Sequence, residues 1–367
     1  MIFLLKNSSF STIWLPIYTL NDSCYTRYFY RGLLLAELLL SILALIYSVI
    51  SGYIILTTKA FHTNFNTLLA IIVLSWKFSI IGKIFLIPYS TGIFQIETGN
   101  LNSHWWTDDV TEMITVYGSL PRGILVGGVA TWYYMILMST CLFILSLERT
   151  FASIFIKNYE NTRRLYLLFL IILFQQFMVL SIVYLLTYNL MKFINVLIFL
   201  IAMNFLPMLI FLGNRWFNLK IVNEFLERPE EAVRNYTLPV RFQAKENLRV
   251  FNLTVRVTVV GFIAILFALL CIITLTLEWV PSLDTFLIYC FENIVHLNPL
   301  VICPVLILSV STWSKSLLST RLPLLHKLTR IALQQPQLTK NAPTQQQETD
   351  TYFSQLQNVW EQKPIVS

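Results

Sequence analysis

Seven runs of about twenty or more apolar residues leave this 367-residue chain few ways to fold. They are Leu33–Thr57, Leu68–Pro88, Ile124–Leu147, Leu165–Thr187, Phe193–Leu212, Val257–Leu277 and Thr285–Val310. A bilayer's hydrocarbon core is about 30 Å thick and takes roughly 20 helical residues to cross. Lipid offers no hydrogen bonds, so a spanning backbone must satisfy itself as helix or closed barrel. Period-two alternation is absent, which argues against a barrel. The expected fold is therefore all-α: a polytopic membrane protein built as a seven-transmembrane helix bundle. Residues 1–32 read as an external tail, 33–310 as the bundle and 311–367 as a cytoplasmic tail. A short interfacial helix is expected from Trp313, and the Gln/Pro/Thr-rich stretch Gln334–Gln347 is expected to be disordered. Pro207, Pro299 and Pro304 are expected to kink their helices.

Composition supports lipid as the main partner. The chain is 56% hydrophobic and 12% charged, against about 25% charged in soluble domains. A formal charge of +7 on so apolar a chain does not argue for nucleic acid. Met1–Leu5 is too short for a signal peptide, so the first long run is expected to target the chain. The five cysteines show no metal-ligand spacing. His62, His104, His296 and His326 scatter over different depths, and there is no GxSxG or Gly-rich phosphate loop. No catalytic residue, metal or cofactor is expected, and the chain is not expected to be an enzyme.

Charge placement sets an orientation. Of the 26 Lys and Arg, 19 fall on the cytoplasmic side if the N-terminus is external; five fall outside, and Lys77 and Lys83 lie within a span. Arg27 and Arg31, just before the first span, lean the other way. The external tail carries two glycosylation sequons, at Asn7 and Asn21. The segment Tyr89–Gly123 carries His104, Trp105, Trp106, Asp108, Asp109 and Glu112. It reads either as a loop over a ligand entrance or as an interfacial tryptophan belt with solvated acids. The basic segment Gly213–Arg256 is long enough to extend its flanking helices and to present a partner-binding face.

Ionisable groups inside spans are expensive and need partners. Glu37 and Lys83 fall at similar depth, so an intramembrane ion pair between them is expected. Lys77 and Glu292 either pair or face a water-filled cavity. Lys77, Trp132, Tyr133, Glu292 and His296 are the candidates to line a ligand site. The bland alternative is that these groups only fix helix packing.

Two motifs sit where a bundle can change shape. The third span ends in Leu147-Glu148-Arg149-Thr150-Phe151-Ala152. An acid beside Arg can hold it in a resting bundle and release it to a docked partner; an ordinary snorkelling pair is the alternative. In the seventh span Asn298-Pro299 places a freed carbonyl next to a side chain able to satisfy it, which makes a hinge.

Three stretches carry a family resemblance. They are Trp14-Leu15-Pro16-Ile17-Tyr18, the segment Glu148–Glu160 after the third span, and Glu348–Trp360 in the tail. Together they resemble the nematode serpentine receptor class epsilon chemoreceptors over essentially the whole chain. The resemblance implies a G-protein-coupled chemoreceptor of sensory neurons, in the plasma membrane of sensory cilia. It implies a small environmental or pheromone-like ligand in the outer half of the bundle and a heterotrimeric G protein as partner. Glu148, Arg149, Asn298 and Pro299 would form the activation switch. The chain departs from the wider rhodopsin-like pattern: no cysteine pair is placed for the outer disulfide, and Glu278-Trp279-Val280-Pro281 stands at the outer end of the sixth span. The alternative class is a seven-span transporter or ligand-gated channel, which would need a polar pathway through the whole bundle.

Overall fold

The structure, a computed structural model, describes residues 1–5, 12–96, 111, 113–116, 118–156, 165–228, 236–277 and 279–319. Within them, seven helical spans are long and apolar enough to cross a membrane. They are α1 (Tyr28–Thr57), α2 (Thr63–Ser90), α3 (Arg122–Ile154), α4 (Leu165–Thr187), α5 (Phe193–Glu227), α6 (Leu238–Thr276) and a seventh made of α7 (Asp284–Leu297) and α8 (Pro299–Leu308). A short helix α9 (Ser311–Ser319) follows. Met1–Leu317 forms one compact unit. Asn7, His104–Asp109, Glu112, Lys157–Glu160 and the tail from 320 lie outside the described residues.

Lipid is the solvent that makes sense of the packing. Leu35, Leu39, Ile42, Leu43 and Ile46 of α1 face outward, as do Phe262, Ile263, Leu266 and Phe267 of α6. So large an apolar exterior is foreign to soluble monomers. Helices α2 and α3 form the centre: 61% of the most apolar stretch of α2 is buried, against 6% of that of α6. Small residues let these two approach. A Cβ on Gly82 would lie 2.5 Å from Thr131 Oγ1, and one on Gly127 would lie 3.0 Å from the Gly82 carbonyl.

Several helices outrun the apolar stretches that announced them. Helix α6 has 39 residues, about 58 Å at 1.5 Å per residue, so its first turns stand clear of a 30 Å hydrocarbon core. Pro239 fits there because the first helical turn needs no amide donor. Helix α5 runs unbroken through Pro207 and α8 through Pro304. Of these three prolines, only Pro299 stands at a break between two helices. There the proline removes one backbone donor, and the Val301 and Ile302 amides turn to the Asn298 carbonyl at 3.0 and 2.9 Å.

The largest departure from expectation is at the N-terminus. The segment is no loose tail. Strands β1 (Ile2–Leu5), β2 (Thr12–Trp14) and β3 (Ile114–Val116) form a sheet in the order β2-β1-β3. β1 pairs antiparallel to β2, Ile2 opposite Trp14, and parallel to β3, Leu5 opposite Val116. Phe3 and Leu15 are fully buried and Trp14 is 1% exposed. The sheet and the chain to Leu20 pack on the bundle through Leu86 and Ile124. This cap defines one end of the molecule. At the opposite end α9 docks: Trp313 stacks edge-on to Phe61 at 5.5 Å, and its indole donates to the Thr58 carbonyl at 3.4 Å.

Candidate functional site

Beneath the cap, three charges meet from three helices. Lys83 of α2 lies 3.2 Å from Glu37 Oε1 of α1 and ion-pairs with Glu292 of α7. All three are nearly excluded from solvent. His296, one helical turn beyond Glu292, shares a 2.5 Å hydrogen bond with Ser79 Oγ. A small cavity adjoins them, lined by Pro16, Ile17 and Tyr18 of the cap and by Lys83, Ser90, Glu292 and His296 of the bundle. Its water-accessible volume is about 10 Å³, room for roughly one water molecule. Tyr18 stacks edge-on to Phe291 at 4.9 Å. Burial, reinforced by the charge of Glu292, pushes the Tyr18 phenol up, and the Tyr25 phenol shifts the same way.

The five residues expected to line a ligand site do not all converge here. Glu292 and His296 do. Lys77 corrects the expectation: it is exposed on the outside of α2, 5.4 Å from the Phe78 ring, and Glu292 pairs with Lys83 instead. Trp132 is covered by the cap, its indole donating to the Trp14 carbonyl at 3.0 Å and its ring 5.1 Å from the Trp14 ring. Tyr133 turns toward α4, donating to Gln176 Oε1 at 2.7 Å. Asn21, read as a glycosylation site, donates its side-chain amide to the Ile96 carbonyl at 3.2 Å. That nitrogen is engaged in the folded cap.

At the opposite end Arg149 is 1% exposed. Adjacent residues on a helix do not ordinarily face each other, yet Glu148 grips the guanidinium with both oxygens at 2.5 Å. Arg149 Nη1 donates to Asn247 Oδ1 of α6 at 3.0 Å and lies 3.7 Å from Glu246 Oε1. The guanidinium also sits over Phe65 of α2 at 4.9 Å. The network continues through Asn247 Nδ2, which donates to Asn218 Oδ1 of α5 at 3.0 Å and to Ser153 Oγ of α3 at 3.2 Å. Gln243 Nε2 donates to Asn247 Oδ1 at 3.1 Å, and Asn214 Nδ2 to Thr150 Oγ1 at 3.0 Å. Four helices are thus tied at one point. Sequence reading missed Asn214, Asn218, Gln243, Glu246 and Asn247. Their signal was present: 214/218 and 243/247 are i, i+4 pairs on the helical extensions, each on one face.

Between the two ends lies the interruption of the seventh span. Tyr134 of α3 reaches across, its hydroxyl 3.2 Å from the Val295 carbonyl, and the Asn298 amide donates to that hydroxyl at 2.8 Å. Tyr134 was not singled out from the sequence, but Asn298-Pro299 was. Among the described residues no group of three or more His, Cys, Asp and Glu is placed to hold a metal.

Comparison with known proteins converges on one group. The family model described as Sre G protein-coupled chemoreceptor matches residues 1–361. Serpentine receptor class epsilon-45 of Caenorhabditis elegans is 32% identical over 374 residues, covering 98% of this chain and 100% of that relative. Serpentine receptor class epsilon-38 of the same organism is 30% identical, covering 96% and 99%. No solved structure matches the chain significantly.

Proposed function

Since the chain belongs to the Sre G protein-coupled chemoreceptor family, we propose that it binds a small molecule beneath the cap and transmits that event to a G protein docked at the opposite end. The family is one of serpentine receptors rather than enzymes, and the molecule sits in lipid. We place the cap outside the cell and α9 in the cytoplasm, as the distribution of Lys and Arg suggests. The expected address is the plasma membrane of sensory cilia.

The observation that carries this reading is the pairing of two polar centres with a hinge between them. In the form described, Arg149 is held by Glu148 and by α6 through Asn247, so the ends of α3, α5 and α6 are shut. A ligand acts only through its different affinity for two arrangements of the bundle. One that moves α7 at Glu292 and His296 shifts the break at Asn298, and with it the Tyr134 contact to α3. Releasing Arg149 then frees five donors for carbonyl groups of the docked partner.

The test is Arg149→Ala in cells that report second messengers. Ligand-driven signalling per receptor at the surface is expected to disappear. Normal signalling at normal surface level would sink the role assigned to Arg149.

A further inference from the structure

The charges beneath the cap do not balance. With both carboxylates ionised, Glu37 and Glu292 contribute two negative charges and Lys83 one positive. Tyr18 and His296 also line the cavity; the Tyr18 phenol adds no positive charge, and His296 bonds to Ser79 and makes no ion pair with either carboxylate among the described residues. Glu37 is 2% exposed, and its Oε1, although 3.2 Å from the ammonium, accepts no directed hydrogen bond. An odd buried charge loses its hydration with no partner charge to offset the loss. The adjoining cavity reaches Lys83 and Glu292 and has room for about one water-sized group.

We propose that the Glu37–Lys83–Glu292 cluster takes one singly charged cation, the ammonium group of a small amine ligand, in the cavity beneath Tyr18. This rests on the reading that ligands bind beneath the cap, and it names their class. A carboxylate ligand would enlarge the imbalance. A divalent cation would overshoot it. The edge-on pair Tyr18–Phe291 borders Glu292 and offers aromatic surface to an alkylammonium. The rest of the ligand needs more space than the cavity has, so Tyr18 and its segment move when a larger amine enters. Sodium carries the same charge, and the experiment separates the two sources.

The full chain in lipid nanodiscs is melted in methylammonium chloride, sodium chloride or potassium chloride at equal ionic strength. Methylammonium is expected to raise the unfolding midpoint above both other salts. Glu37→Gln removes the odd charge and leaves the Lys83–Glu292 pair intact. It should therefore fold, and should need at least about tenfold more methylammonium for the same shift. Glu292→Gln, which removes the same charge from another helix, is expected to behave alike. Equal midpoints in the three salts, or a methylammonium shift that survives in both variants, overturns the proposal; a shift with sodium alone overturns the amine assignment. No G protein enters this measurement. Normal signalling by Arg149→Ala would defeat the coupling reading and leave the cation site standing, and the reverse holds equally.

Discussion

Arg149 shows how one side chain can tie three helices directly, and a fourth through Asn247. Its cost of burial is met by a bidentate carboxylate, an amide oxygen and an aromatic face. Removing a partner from such a group is far more damaging than never having had the pair. Asn247 is the most exposed to this logic, because it serves Arg149, Asn218, Ser153 and Gln243 together. Asn247→Ala is expected to destabilise the closed form by about 1–3 kcal/mol. If that form is the silent one, the variant signals more without ligand. A melt of the purified receptor and basal second-messenger output check the two halves. Lower stability with unchanged basal output would make the network a structural fastening only. Glu148→Gln keeps the shape and removes the charge, so its basal output should rise as well.

At the level of elements, the interrupted seventh span and the cap are the two parts that differ from plain rods in a bundle. Tyr134→Phe removes the hydroxyl that bridges the Val295 carbonyl and Asn298 and leaves the ring in place. A loss of about 0.5–1.5 kcal/mol is expected, together with a shifted ligand dose-response; an unshifted response would uncouple this contact from signalling. The cap is held by larger forces. Trp14→Ala removes a fully buried ring from the Trp132 face, a change that typically costs about 3–5 kcal/mol. Surface expression is expected to fall, and Trp132 should become accessible to a collisional fluorescence quencher added from the cap side. Helix α5 makes the contrary point, since Pro207 leaves its assignment continuous.

For the whole molecule, the seven spans were legible because lipid penalises every interruption of an apolar run. Depth was legible too, since helical rise converts residue number to height. Facing was harder. Lys77 and Lys83 are six residues apart, which places them about 120° apart around α2. Depth alone had let Lys77 into the bundle, where rotation keeps it out. The cap was not legible at all: strands of three or four residues carry no usable period, and β1 finds β3 only through tertiary contact. Nor could the network at Arg149 be read, because Asn247 meets it only once α6 lies against α3. Orientation has its own check. An epitope inserted between the exposed Gly118 and Ser119 should bind antibody on intact cells, and one after Ser367 only after permeabilisation; the opposite pattern would invert the assignment of both ends.

The parallel pairing of Leu5 with Val116 also imposes a schedule on synthesis. The first strand leaves the ribosome well before its partner, with two membrane helices to be made in between. At roughly 5–20 residues per second, its second edge waits on the order of ten seconds open, with only β2 beside it. During that interval an oily hairpin, β1 with β2, presents an open edge at the membrane surface. The newborn chain is then most open to aggregation or to capture by a chaperone, and the wait ends only when translation reaches β3.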